Sequence, residues 1–255
     1  MSNPRPPSLR DGAVTVLLWS YYILGFLLYF APFYLVALAR ATDREEAFQR
    51  LNQRLHRSFF RLLARLAPQV TWRIAPEVRS LRGALILANH LSFLDPILFV
   101  SLFARQKTIV KGDYFRLPVF GRILKASGYI PSLAEGRFAA DMVDQVKGMG
   151  AFLAAGGNLF VFPEGTRSRD GRLGPFDKGA FKIARLCRAT PIHVVRISGT
   201  DRLFPPDRLL FNTGEALVIS VTLAGTLTPD YDGGDFPPAA LLERTRSLLG
   251  GEVTR

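Results

Sequence analysis

Apolar and polar positions divide this chain into three regimes. From Gly12 to Ala39 no residue is charged (GAVTVLLWSYYILGFLLYFAPFYLVALA). As a helix rising about 1.5 Å per residue this run reaches roughly 40 Å, more than the ~30 Å hydrocarbon core of a bilayer. Trp19, Tyr21, Tyr22, Tyr29 and Tyr34 are scattered through it, and such aromatics favour the lipid–water interface. Pro32 predicts a kink or break near Ala31, because its ring removes a backbone donor and crowds the preceding turn. Basic residues flank both ends (Arg5 and Arg10, Arg40 and Arg44), so charge leaves a clean span and a kinked or re-entrant segment both open. Ala37-Leu38-Ala39 looks like a signal-peptide cleavage site, but the run far exceeds the 7–15-residue apolar region of such a peptide. The expectation is a retained membrane anchor.

In the second regime, from Asp43 to Ala67, Phe48, Leu51, Leu55, Phe59, Leu62 and Leu66 recur at steps of three and four, a helical stripe. Arg50, Arg54, Arg57, Arg61 and Arg65 recur at the same steps on another face. Directly after an apolar helix, this pattern fits an interfacial helix on anionic lipid; an ordinary domain helix with a solvated basic face is the alternative. The third regime alternates short apolar runs with helical patterns. Strands are predicted at Gly83–Ala88, Lys107–Val110, Gly128–Pro131, Asn158–Phe162, Ile192–Ile197 and Ala216–Leu223. Helices are predicted at about Pro96–Ala104, Phe138–Ala155, Lys178–Arg188 and Pro238–Leu249, with Gly225–Pro237 as a turn-rich link. The fold class expected is α/β, a mostly parallel sheet flanked by helices and preceded by the membrane helix and the amphipathic interfacial helix. The anchor and interfacial helix occupy residues 1–67 and one α/β domain residues 68–255.

Composition narrows the chemistry. Hydrophobic residues at 48% against 21% charged exclude a disordered chain. A single cysteine, Cys187, excludes an internal disulfide framework, and with only His56, His90 and His193 no metal centre is expected. The net charge of +12 calls for an anionic partner. Because the arginines cluster beside the apolar anchor and form no aromatic-interleaved surface, that partner is read as a phospholipid membrane, not nucleic acid.

Two strand ends carry polar clusters. Asn89-His90-Leu91-Ser92-Phe93-Leu94-Asp95 follows the GALILA strand, at the sheet edge where open α/β proteins bind ligands. Five residues apart, His90 and Asp95 are about 140° out of phase on a helix, but a strand-to-helix turn would fold the carboxylate back onto the imidazole. Against that stand bland readings: Asp95 before Pro96 as a helix N-cap, and His90 as a satisfied core histidine. Phe162-Pro163-Glu164-Gly165-Thr166-Arg167-Ser168 follows the NLFVF strand, where a glycine turn and a guanidinium suit a phosphate, or form an unremarkable solvated loop. His193 is read as packed or hydrogen-bonded within its strand, His56 as solvated or touching headgroups, and Cys187 as a small buried hydrophobe.

Taken together, in this order and about 70 residues apart behind a membrane anchor, the clusters resemble the membrane-bound glycerolipid acyltransferases, in particular the 1-acylglycerol-3-phosphate acyltransferases. The first family motif, NHxSxxD, is met by Asn89, His90, Ser92 and Asp95, and the third, FPEGTRS, by Phe162–Ser168. Lys111-Gly112-Asp113-Tyr114-Phe115 through Pro118, Phe120 and Gly121 follows a further family segment, and Phe176, Lys178, Gly179 and Ala189–Val195 look like later ones. The second motif departs: after Gly128-Tyr129-Ile130-Pro131, Ser132-Leu133-Ala134 replaces the ending that carries the family's arginine, and Arg137 lies three residues on. The resemblance implies transfer of an acyl group from acyl-CoA or acyl-carrier protein to the sn-2 hydroxyl of 1-acylglycerol-3-phosphate, giving phosphatidic acid, with no cofactor and no metal. His90 would be the general base and Asp95 its orienting partner. Arg167 and Lys111 would hold the acceptor phosphate, and Glu164, Gly165 and Thr166 would shape that pocket. The missing arginine leaves another lysophospholipid or a lyso-ornithine lipid open as acceptor. A donor of this type implies a cell-membrane protein whose active site faces the cytoplasm. A lipid hydrolase is disfavoured because no G-x-S-x-G nucleophile elbow occurs.

Overall fold

The computed structural model describes residues 8–132, 148–186, 188, 191–231 and 238–250. Helix α1 (Leu9–Arg40) is continuous. It begins α-helical over Leu9–Ser20, widens to π-helical bonding over Tyr21–Phe30 and returns to α-helix over Ala31–Arg40. Of the kink or break expected near Ala31, the break is absent, and the bonding pattern changes from π to α at that residue. Pro32 falls in the first turn after the bonding pattern switches, where a missing N–H is tolerated. The helix also starts before the uncharged run. Ser8 caps it, and the Asp11 carboxylate in its first turn accepts from the Ser8 N–H at 2.9 Å.

Helix α2 (Arg44–Leu66) opens on Asp43, whose carboxylate accepts from the Glu46 N–H. Phe48, Leu51, Leu55 and Phe59 of the predicted stripe are buried and Arg50, Arg54, Arg57, Arg61 and Arg65 are exposed, but towards the end of the helix Leu63 takes the buried position while Leu62 and Leu66 are only partly covered. His56 is a correction: it is buried, not solvated. Its Nδ1 faces the Asn52 carbonyl at 2.6 Å and its Nε2 the Tyr22 hydroxyl at 3.0 Å. A carbonyl only accepts, so Nδ1 carries the hydrogen and Nε2 accepts from Tyr22. Burial pushes this imidazole down to about 4, against the opposing effect of the Asn52 carbonyl.

The sheet has seven strands: β1 (Val70–Ile74), β2 (Leu85–Ala88), β3 (Gln106–Lys111), β4 (Ile130–Ser132), β5 (Asn158–Val161), β6 (Ile192–Ser198) and β7 (Leu217–Leu227). Their order is β1-β7-β6-β2-β5-β3-β4, and every neighbouring pair is parallel except β6–β7. Two points differ from expectation. β1 was not predicted, and β7 runs on through Gly225–Leu227, which was assigned to the link. A register shift at Val194/Val195 lets the long β7 follow β6.

Alternate residues of β2 serve opposite faces, as its unbroken apolar run requires. Ile86 and Ala88 join Leu98, Phe99 and Phe103 around helix α3 (Leu94–Leu102), whereas Leu85 and Leu87 join Met149, Phe152, Phe181 and Leu241. A third cluster ties the N-terminal helices to this body: Val14 and Leu18 pack with Phe59, Leu63, Leu94, Phe204 and Phe211. Asp11 Oδ1 accepts from both the Thr213 N–H and its hydroxyl at 2.8 Å, and Thr15 Oγ1 accepts from the Phe211 N–H at 2.9 Å. The opposite side of α1 is bare: Ile23, Leu24, Leu27, Leu28, Leu35 and Val36 are all exposed. α1 is long and apolar enough to cross a membrane. Arg137 and Cys187 lie outside the described residues.

Candidate active site

Both polar clusters emerge at the carboxyl edge of the parallel strands, β2 and β5 being neighbours. Asn89 closes β2 by giving its amide to the end of β6, donating to the Ile197 carbonyl at 2.8 Å and accepting from the Ile197 N–H at 2.7 Å. The chain then turns sharply. His90 Nδ1 lies 3.0 Å from Asp95 Oδ2, so the turn folds the two together. Asp95 is not the N-cap. Helix α3 begins at Leu94 without a side-chain cap, and the carboxylate reaches back to accept from the Leu91 and Ser92 N–H groups at 2.6 and 2.7 Å. Its other oxygen accepts from the Thr200 hydroxyl at 2.6 Å. The Asp95 side chain is fully buried and has four donors around it, so its position is fixed to within a hydrogen bond's tolerance.

That geometry sets the imidazole. A carboxylate on Nδ1 holds the proton there and leaves the Nε2 lone pair facing outward. The His90 side chain is 16% exposed, enough for a hydroxyl to approach, and its ring stacks on Phe162 with centroids 4.4 Å apart. Phe162 is the first residue of the third motif, so one aromatic contact locks the ring from the other cluster.

The loops are joined through their backbones as well. The His90 N–H donates to Glu164 Oε1 at 2.9 Å, and the His90 carbonyl accepts from the Ser168 N–H at 2.8 Å. Glu164 Oε2 accepts from the Gly174 N–H at 2.8 Å. Both oxygens of this buried carboxylate thus hold backbone, and Glu164 enters the site as a positioning residue. Gly165 turns the chain with φ +66, a left-handed conformation that favours glycine. Beyond it Thr166 and Arg167 are exposed. Arg167 lines a cavity of about 300 Å³ with Trp19, Phe93, Phe204 and Leu209, so a cation borders an aromatic wall to which α1 contributes Trp19. Lys111 ends β3 on the same sheet edge, exposed and one strand beyond β5. The edge therefore collects His90, Asp95, Glu164, Gly165, Thr166, Arg167 and Lys111.

Sequence reasoning missed Thr200. It follows Gly199, whose φ of +83 turns the chain out of β6, on the same sheet edge. A serine or threonine just after a third strand end was the available signal. Trp19 and Phe204 were also missed as site walls, because periodicity does not reveal that α1 lies across this mouth.

A family model described as Acyltransferase matches residues 69–198, about half of the chain. Among curated proteins, a chloroplastic 1-acyl-sn-glycerol-3-phosphate acyltransferase of Brassica napus is 37% identical over 134 residues, covering 52% of this chain and 38% of that protein. One from Arabidopsis thaliana is 37% identical over 139 residues (53% and 38%), and one from Borreliella burgdorferi 31% over 142 residues (54% of each). The matched stretch thus spans from about a third to about half of these relatives' length. The crystal structure of the 1-acyl-sn-glycerophosphate (LPA) acyltransferase PlsC from Thermotoga maritima superposes with a TM-score of 0.69 over 95% of both chains at 20% identity, a likeness of fold.

Proposed function

This chain belongs to the acyltransferase family, and from that premise we propose that it acylates the sn-2 hydroxyl of 1-acylglycerol-3-phosphate, using acyl-CoA or acyl-carrier protein as donor and releasing phosphatidic acid. The observation that carries the reading is the His90–Asp95 pair, cross-linked through the His90 backbone to the loop that presents Arg167. His90 Nε2 takes the proton of the acceptor hydroxyl while Asp95 stabilises the imidazolium that forms. The oxygen attacks the thioester carbonyl, a C–O bond forms as the C–S bond breaks, and the proton leaves with the thiolate. Arg167 and Lys111 hold the acceptor phosphate, and Gly165 and Thr166 shape the turn between them. The reaction needs no cofactor beyond its donor.

The docked side of α1 borders this mouth at Trp19 while its opposite side is apolar and exposed, which supports a site placed at the membrane surface where both long-chain substrates reside. A CoA-type donor puts that surface on the cytoplasmic side of the cell membrane. One observation supports a second acceptor: the second motif ends Ser132-Leu133-Ala134, without its arginine. The test is acyl transfer from labelled donor by detergent-purified protein to lysophosphatidic acid, other lysophospholipids and lyso-ornithine lipid in parallel. Product with lysophosphatidic acid, lost in His90→Ala, is the expected result. Product only with another acceptor would move the substrate and keep the chemistry. Equal activity of wild type and His90→Ala would sink the mechanism.

A further inference from the structure

A second cavity, about 450 Å³, opens away from the catalytic edge between α2, β1 and the carboxyl-terminal half of α3. Its apolar wall includes Phe60, Trp72 and Leu98, with Phe60 and Trp72 edge-to-face at 5.2 Å. Three guanidiniums also line it, those of Arg57, Arg61 and Arg79. All three residues are exposed, and none has a carboxylate within ion-pair distance among the described residues. Three uncompensated cations around an apolar wall ask for an anion with a hydrophobic body.

We propose that this cavity binds the phosphate headgroup of an anionic phospholipid drawn from the bilayer. Two features favour a lipid over a free phosphate. The apolar wall has no role for a small inorganic ion. The arginine row also continues along α2 through Arg50, Arg54 and Arg65, on a helix whose other flank packs against the bare apolar α1. The site stands apart from His90 and does not rest on the acyl-transfer reading.

The chain has two tryptophans, so Trp19→Phe leaves Trp72 as the sole indole reporter in the cavity. The experiment titrates this full-length variant in non-ionic detergent with dihexanoylphosphatidylglycerol below its micelle concentration, following Trp72 emission. Dihexanoylphosphatidylcholine and inorganic phosphate are the parallel arms. A saturable change with the anionic lipid is expected, its midpoint raised about tenfold or more by Arg57→Ala/Arg61→Ala. Arg50→Ala/Arg54→Ala removes the same charge from the same helix outside the cavity and should shift it by no more than about twofold. Arg167→Ala should leave it unchanged, which separates this site from the catalytic one. Saturation by inorganic phosphate at the same midpoint would make it a free-anion site and overturn the lipid assignment. Equal response to the zwitterionic lipid, equal loss in both arginine pairs, or no response would overturn the proposal itself.

Discussion

At the scale of single residues, the proposed chemistry rests on how few positions His90 can take. Its ring is held by Asp95 on one edge and Phe162 on one face, and its backbone by Glu164 and Ser168. Removing the base with His90→Ala should lower kcat/KM by about 10²–10⁴-fold with the fold intact, measured by acyl transfer and thermal unfolding side by side. Thr200 acts one step further out, through Asp95. Thr200→Val should lower kcat about tenfold at nearly constant KM, and Thr200→Ser should restore it; a purely structural role would not show that split. His56 gives a test that does not involve activity. Its folded imidazole accepts a proton only near pH 4, its unfolded one at about 6.5. The unfolded chain therefore binds more protons between those values, and stability is full above pH 6.5 and falls as pH drops towards 4, by about 3 kcal/mol in all. In His56→Gln, whose amide also donates and accepts, the thermal midpoint should lose much of that pH slope. His90, Asp95 and Arg167 were legible because each lies in a short contiguous motif beside a strand end. Thr200 was not, because it meets Asp95 across 105 residues. His56 was misread because its partner, the Tyr22 hydroxyl, comes from another helix.

At the scale of elements, what periodicity conveys is burial, and the errors fall where burial is partial. β2 and β5 are buried throughout and were placed nearly to the residue. β1 buries only Val70 fully and exposes Thr71 and Arg73, so it reads as loop. Its place at the sheet edge, beside β7, explains that half-exposed pattern. The antiparallel β6–β7 pair was likewise unreadable, since strand direction leaves no mark on composition. At α1 the reverse holds: uniform hydrophobicity conceals which side docks. The answer lies in its polar start, where Asp11 is buried and bonds Ser8 and Thr213 at once. Asp11→Ala removes the carboxylate half of the capping box, leaving Ser8 as the cap, and leaves the Thr213 donors unmet. It should cost about 1–3 kcal/mol and free the amino end of α1 to proteolysis, while Leu9→Ala, at a 97% exposed position, should do neither. Gly121 carries a second element-scale constraint. A Cβ there would meet the Phe115 carbonyl oxygen at 2.3 Å, so Gly121→Ala must displace the turn that leads out of β3 past Lys111.

For the whole molecule, the uncovered apolar side of α1 is the dominant surface feature. Leu24 is 53% and Leu28 78% exposed, and neither supports the interior. Leu24→Asp/Leu28→Asp should leave unfolding in detergent unchanged, yet weaken binding to phospholipid vesicles by about 4 kcal/mol or more, read by co-sedimentation. If vesicle binding survived, α1 would not be the membrane contact and the placement of the site at the bilayer surface would fall with it.

The bonds from Asp11 to Thr213 also have a consequence in time. The two residues are 202 positions apart, and Phe204 and Phe211, which receive α1, are nearly as late. At about 5–20 residues per second, a ribosome needs roughly 10–40 s to make that receptor after α1 has been synthesised. For that interval α1 can dock only against α2, whose Phe48, Leu51, Leu55, Phe59 and Leu63 are made soon after it, while the contacts of its amino end with Phe211 and Thr213 are still missing. The order of synthesis thus makes the α1–α2 pair the first unit to form, with the amino end of α1 fastened to the α/β body only once Phe211 and Thr213 have emerged.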